Sequence, residues 1–150
     1  MDSALSTSTE PVVHKAEASA GEAANAVGQV VVGLEALIID AIPSAREIVF
    51  TGLTRAAGGL SRENWSLDAQ WVDADGAHVR QLMLMRDAAG TLLATVRARE
   101  FAVLKALEAS GVPAPKAHWV DPDGQHLGAP SIVMDRVAGI CDYLVLNGER

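Results

Sequence analysis

The stretch that decides the fold is residues 65–86, WSLDAQWVDADGAHVRQLMLMR. Apolar and polar residues alternate through Trp65–Trp71, which is typical of a β-strand with one buried face. Asp73–Gly76 is a turn signal, because Asp and Gly accept the backbone angles of a tight hairpin. A second strand-like run follows at Val79–Arg86. The stretch therefore predicts an antiparallel hairpin.

Further elements are predicted on both sides of this hairpin. Upstream, residues 48–53 form another short strand-like run, followed by a glycine-containing loop. Downstream, Thr91–Ser110 lacks Pro and Gly and carries apolar residues at helical spacing. Two more strands are predicted at 118–120 and 131–137. This order predicts an α+β fold, in which a five-stranded antiparallel sheet packs against one helix.

The residues before the sheet divide into two segments. Residues 1–26 are rich in Ala, Ser, Thr and Glu, and we interpret them as a disordered or weakly helical tail. Residues 27–45 are predicted to form an N-terminal helix that packs on the domain, with Pro43 as its stop. Its apolar stretch is too short and too acidic to predict a membrane span. The sheet domain then occupies residues 46–137, and residues 138–150 follow it.

Composition bounds the class of protein. The 150 residues are 49% apolar and 21% charged, which predicts one globular domain. The net charge of −7 argues against a nucleic-acid partner, because such a protein needs a basic surface. The single cysteine, Cys141, is interpreted as a buried apolar residue in a reducing compartment. No signal peptide is evident, so we expect a cytoplasmic location and no membrane partner.

Three features are candidates for chemistry. Gly58-Gly59-Leu60-Ser61 has the adjacent glycines that let backbone amides approach a phosphate, but the local pattern by itself favours an ordinary hairpin turn. Glu100 shares a predicted helix face with apolar residues, so it needs a partner if it is buried. Arg86, which closes an apolar strand, could pair with it. Alternatively, Glu100 reaches solvent or pairs with Arg97, and Arg86 marks where the strand meets water.

Metal and nucleophile motifs are not evident in the sequence. The four histidines form no cluster with Cys or carboxylates at the usual ligand spacing, and we interpret them as surface residues: His14, His78, His118 and His126. No metal site is predicted.

Four motifs in this order resemble the N-terminal lobe of the aminoglycoside-phosphotransferase-like small-molecule kinases. They are GGLSRENWSLDAQW from residue 58, LMLMRD from residue 82, REFAVLKALEASGVPAPKAHWVDPDG from residue 99 and GAPSIVMDRVAG from residue 128. The resemblance covers about residues 34–150. It implies a protein-kinase-like N-lobe that binds ATP, with Mg²⁺ as the second cofactor and an unknown small-molecule hydroxyl as acceptor.

The resemblance also implies roles for individual residues. The loop Gly58, Gly59, Leu60 and Ser61 would lie over the ATP phosphates, and Glu100 would orient a cation on them. Leu84 or Met83 would cover the adenine ring, depending on the strand register. The remaining nucleotide-binding candidates are the cation Arg86 and the hinge residues Met134, Asp135, Arg136 and Val137.

The chain departs from the family pattern in two places. The phosphate-contacting cation is usually the first Arg of a strand of type L-x-L-R-R, and here that position is Met85. Because side chains alternate along a strand, Arg86 would point to the other face unless the strand bulges. The H-x-D catalytic loop is also absent from the sequence. We therefore expect a lobe without its catalytic C-lobe, inactive by itself.

Two functions follow as expectations. The first is the nucleotide-binding lobe of an ATP-dependent phosphotransferase. The alternative is a non-catalytic kinase-like lobe that serves as a protein- or nucleotide-binding module. Residues 138–150 would be the hinge and the start of the inter-lobe linker. Without a C-lobe to cover their apolar side chains, we expect self-association.

Overall fold

The computed structural model describes residues 12–56, 62–88 and 96–139. Within these ranges the chain forms five strands and two helices, and every paired strand is antiparallel to its neighbour. In chain order the elements are α1 Val12–Ala41, β1 Arg46–Arg55, β2 Arg62–Asp73, β3 Gly76–Asp87, α2 Arg97–Glu108, β4 Ala117–Asp121 and β5 Ser131–Asp135. The sheet order is β1-β2-β3-β5-β4. This confirms the predicted α+β class, with the arrangement of a kinase-like N-lobe.

The β2–β3 hairpin is the centre of the sheet. Its register runs without a shift from the pair Arg62–Asp87 to the pair Asp73–Gly76, which closes the turn. Because side chains alternate strictly along such a ladder, each residue's face is determined by its number. One face is apolar and buried, with Trp65, Leu67, Trp71, Leu82 and Leu84 as its largest side chains. The other face carries Asn64, Ser66, Asp68, Met83 and Met85.

The edge strand β1 is less regular than the hairpin. Its pairing with β2 shifts between Thr51 and Thr54, and Gly52 within that interval has a φ of 63°. Glycine adopts this angle without the steric cost that a Cβ brings, so it suits an irregular step in a strand. The strand remains paired with β2 up to Arg55.

Helix α1 covers the apolar face of the sheet. Val30, Leu34, Leu37 and Ile38 are buried in one cluster with the large side chains of β2 and β3. The predicted packing of this helix on the domain is therefore present, and the helix ends before Pro43 as expected. It begins at Val12 rather than Val27, so the predicted tail is helical over residues 12–26. The Ala- and Glu-rich composition explains the extension, since both residues favour helix.

The same helix is also long and apolar by composition. Gly21–Ala41 has a mean hydropathy of 1.4, which is enough, by length and composition, to cross a membrane. This differs from the expectation drawn from the shorter apolar stretch after Val27. A core helix with one buried face passes the same test, and 28% of the apolar window is buried here, including Val30, Leu34, Leu37 and Ile38.

Helix α2 packs on the other side of the sheet, against β4 and β5. It begins at Arg97 and ends at Glu108, within the predicted range Thr91–Ser110, of which residues 91–95 lie outside the described part of the chain. Its inward side is half-buried at Glu100, Phe101, Leu104 and Leu107. The described residues thus form three layers: α1, the sheet and α2.

The β4–β5 connection ties the sheet to α1. The buried Asp121 carboxylate accepts hydrogen bonds from the backbone N–H groups of Gln125, His126 and Leu127 at 2.8 to 2.9 Å. Leu127 is thereby held in the core cluster beneath α1. Of the predicted linker, residues 140–150 lie outside the described part. Of the apolar side chains on which the expected self-association depends, the described one, Val137, is 69% exposed, and the others, Ile140, Tyr143, Leu144 and Leu146, lie outside the described part.

Candidate functional site

The end of β3 carries functional candidates on both faces of the sheet. Arg86 follows Leu82 and Leu84 on the α1 face. Its Nη2 lies 2.6 Å from Glu63 Oε2, and its Nη1 donates to the Leu127 carbonyl oxygen at 3.1 Å. Both terminal nitrogens of Arg86 are therefore bound to groups on the side of the sheet that carries α1.

The predicted ion pair between Arg86 and Glu100 is not formed. Glu100 lies in the first turn of α2, on the opposite side of the sheet. The β2–β3 ladder contains no bulge that could turn Arg86 toward α2. The pairing was wrong because a strand's period of two places Arg86 with Leu84, not with Met85.

Glu100 pairs with two other arginines. Its Oε2 lies 2.7 Å from Arg97 Nη1, three residues earlier in the helix, and its Oε1 lies 3.5 Å from Arg62 Nη1 on β2. The helical pairing left open by the sequence is therefore present, together with a cross-element contact. Arg97 also donates to the Asp87 carboxylate at the end of β3.

Arg97 is the most deeply buried charge of this group. Its side chain is 0% exposed, and its guanidinium lies between the carboxylates of Asp87 and Glu100. A buried charge is tolerated only when it is paired in this way. We call Arg62, Met85, Asp87, Arg97 and Glu100 the α2-side cluster.

Met85 is the residue that the resemblance assigns to the cation position. It faces α2, because it pairs with Asn64 in the ladder and alternates with Arg86. Its sulfur lies 3.4 Å from Arg62 Nη1. A guanidinium from the neighbouring strand therefore lies against Met85.

Glu63 on the opposite face is held ionised. Burial raises the pKa of its carboxyl. The hydrogen bond and charge of Arg86, together with the charge of Arg55, lower the pKa by more, so the net shift is downward. Arg55 Nη2 lies 3.1 Å from Glu63 Oε1. Arg86 and Arg55 are thus committed to one carboxylate on the α1 side.

The glycine loop Gly58–Ser61 lies outside the described residues. The strands on either side of it are joined up to its base, where the Ala56 N–H donates to the Asn64 carbonyl oxygen at 2.8 Å. The loop therefore connects β1 to β2, and Arg62 is the residue that follows it.

The predicted hinge leaves β5 after Asp135. The N–H of Asp135 donates to the Lys116 carbonyl, and that of Arg136 to the Gln81 carbonyl, both at 2.9 Å. Arg136 Nη2 also lies 2.9 Å from Asp68 Oδ1. Met134 is buried, whereas Val137 is 69% exposed. The four residues therefore pass from the buried sheet to the surface.

The strand register determines the face of the sheet on which Leu84 and Met83, the two candidates to cover the adenine ring, each lie. Leu84 is fully buried in the cluster beneath α1. Met83 pairs with Ser66 and Met134 on the face that carries α2. Of the two candidates for contact with a base, Met83 is the one on the side of Glu100.

The described histidines differ from the surface residues that were predicted. His78 stacks on Trp71 and lies 2.8 Å from Asp73, His118 lies 2.6 Å from Asp135, and His126 lies 3.7 Å from Asp40. All three are at least half-buried. Within the described ranges, no group of three or more His, Cys, Asp or Glu side chains could hold a metal ion.

Sequence reasoning did not single out Arg62 as a site residue. The signal was the alternation itself: Trp65, Leu67 and Trp71 share the apolar face, so the even-numbered Arg62 lies on the other. Its contact with Glu100 joins β2 to α2, and no local spacing predicts it.

The comparison with protein families gives a match that covers more than half of the chain. The model of the phosphotransferase enzyme family matches residues 52–142, which include β2, β3, α2, β4 and β5. A search of curated proteins found no match.

Proposed function

The chain belongs to the phosphotransferase enzyme family, and from that premise we propose that its sheet domain is the nucleotide-binding lobe of an ATP-dependent phosphotransferase acting on a small-molecule hydroxyl. The observation that carries the proposal is the position of Glu100. The first turn of α2 holds its carboxylate on the α2 side of the sheet, in contact with Arg62 and Arg97. Kinases use such a helix carboxylate to orient a cation on the ATP phosphates.

The proposed adenine site lies between Met83 and the hinge. Because the N–H groups of Asp135 and Arg136 already donate within the protein, we assign the donor to adenine to the N–H of the exposed Val137. Met83 would cover the base. The loop Gly58–Ser61 would cover the phosphates, and Mg²⁺ would accompany the nucleotide.

One observation favours a second candidate function. Met85 is apolar and stands where the family pattern has a phosphate-contacting arginine. A lobe without that cation could bind a protein or nucleotide without catalysing phosphoryl transfer. The two candidates separate on whether the triphosphate adds to the affinity for adenosine.

Titration of the chain with ATP and MgCl₂, followed by amide NMR, tests the proposal. We expect weak, saturable binding, with dissociation constants well above micromolar, and shifts concentrated at Met83, Glu100 and residues 134–137. The Glu100→Gln variant should bind ATP more weakly. The matched control is Glu35→Gln, which removes an exposed carboxylate from α1. Absence of saturable shifts, or shifts confined to α1, would contradict the proposal.

A further inference from the structure

Arg62 occupies a particular place in the α2-side cluster. It is the first residue of β2 and directly follows the residues of the glycine loop. Its ladder partner is Asp87, and the unbroken register places both on the same face as Met85. The Arg62 side chain therefore extends from the base of the loop toward the residue that replaces the usual cation.

The other arginines near the end of β3 are committed elsewhere. Arg97 is fully buried between Asp87 and Glu100. Arg86 and Arg55 are bound to Glu63 on the α1 side. Arg86 and Arg55 are therefore directed away from the face that carries Met85, and Arg97, whose Nε has no hydrogen-bond partner among the described residues, is too deeply buried to reach a ligand.

Arg62, in contrast, is loosely held. Its side chain is 37% exposed, and its 3.5 Å separation from Glu100 is longer than an ordinary N–H···O hydrogen bond. Its contact with the Met85 sulfur is also weak, since a thioether is a poor acceptor. Both contacts use Nη1. Most of the five N–H donors of this guanidinium can therefore turn to a ligand.

We infer that Arg62 supplies the phosphate-contacting cation of this lobe. It does so from β2, the strand next to the usual position on β3, and on the same face of the sheet. This inference rests on the proposed function, because it requires a nucleotide on the α2 side of the sheet. A guanidinium presents paired donors that match the oxygens of a phosphate, which Met85 cannot do. The Glu100 carboxylate on α2 orients the Arg62 guanidinium, in the same way that a helix carboxylate orients a cation on β3.

The experiment compares adenosine with ATP. The full chain is titrated with adenosine and, separately, with ATP and MgCl₂. The dissociation constant for adenosine divided by that for ATP measures what the phosphates contribute to the affinity. We expect Arg62→Gln to lower this ratio about tenfold, the effect of losing a hydrogen bond to a charged group. The dissociation constant for adenosine should not change. Arg62→Lys should retain part of the ratio.

Two further variants distinguish a contact of Arg62 with phosphate from a purely structural role of Arg62. Arg80→Gln makes the same charge change at an exposed position on the α1 face of β3, and should leave the ratio unchanged. Adding Met85→Arg to Arg62→Gln places a guanidinium back on the α2 side and should restore the ratio. Thermal unfolding of each variant reports whether it remains folded.

The outcomes are distinct. If Arg62→Gln and Arg80→Gln change the ratio equally, or neither changes it, Arg62 makes no phosphate contact and the inference is overturned while nucleotide binding stands. If ATP binds the wild-type chain no more tightly than adenosine, the inference is again overturned. If neither ligand binds the wild-type chain, the proposed function fails and the inference fails with it.

Discussion

Arg97 shows how one residue's environment determines its role. Its guanidinium is removed from solvent and pairs with carboxylates from two different elements, Asp87 on β3 and Glu100 on α2. Such a group ties the helix to the sheet, and it leaves the more exposed Arg62 as the accessible cation. Removing it places two carboxylates close together without the charge between them.

Replacement of Arg97 by Met should therefore destabilise the protein. Arg97→Met keeps the apolar stem but removes the buried charge, and we expect a loss of about 3–5 kcal/mol in the free energy of unfolding. Arg99→Met, at an exposed position on α2, is the control and should change stability by less than about 0.5 kcal/mol. Urea denaturation measures both. Equal stability of the two variants would show that the buried pairing contributes little.

At the scale of elements, helix α1 lies close against the β4–β5 connection. A Cβ built on Gly33 would lie 2.6 Å from the His126 carbonyl oxygen and 2.9 Å from Leu127 Cδ2. The helix can rest on this connection only because residue 33 has no side chain. A Cβ on Gly28, in the same helix, would meet nothing within 4 Å.

This contrast gives a matched pair of substitutions. Gly33→Ala should lose about 1–3 kcal/mol of stability through overpacking against backbone. Gly28→Ala should gain up to about 1 kcal/mol, because alanine favours helix over glycine. Thermal or urea unfolding of both variants measures the difference. A stabilised Gly33→Ala variant would mean that the helix moves away from the connection at little cost.

At the scale of the whole molecule, the carboxylates make stability depend on pH. The hydrogen bond from His78 lowers the pKa of Asp73, with further lowering from the Asp75 N–H and the Trp71 indole and a smaller opposing effect of burial. The pKa values of Glu63 and Glu108 are lowered as well, the latter mainly by the hydrogen bond from Lys105. The folded state therefore binds fewer protons than the unfolded state in acid.

Stability should consequently fall on acidification. A group with a lowered folded pKa stabilises the protein above its ordinary pKa, which is 3.8 for Asp73 and 4.5 for Glu63, and this contribution is lost as pH falls through the folded value. Asp73→Asn should flatten the fall in the free energy of unfolding between about pH 5 and pH 3. Asp75→Asn, at the exposed turn, is the matched control for the loss of one carboxylate. An unchanged slope in Asp73→Asn would contradict the assignment.

Much of this protein follows from the sequence alone. The alternation of Trp65–Trp71 and the turn at Asp73–Gly76 predicted the central hairpin, because a strand's period of two and a turn's backbone angles are local properties. The same period raised the possibility that Arg86 faces away from α2. The order of the elements, and with it the α+β class, followed from hydropathy patterns in the same way.

Only the tertiary structure decided which side chains meet. Arg62 contacts Glu100 and Met85, Arg97 joins Asp87 to Glu100, and Gly33 lies against His126. The contacts of Arg62 with Glu100 and Met85, and of Gly33 with His126, join residues far apart in the chain. The distances in space between these residues depend on how the strands pair and the layers pack. Local patterns place a residue on a face of its own element, but the partner across the interface depends on register and packing, which the folded chain alone establishes.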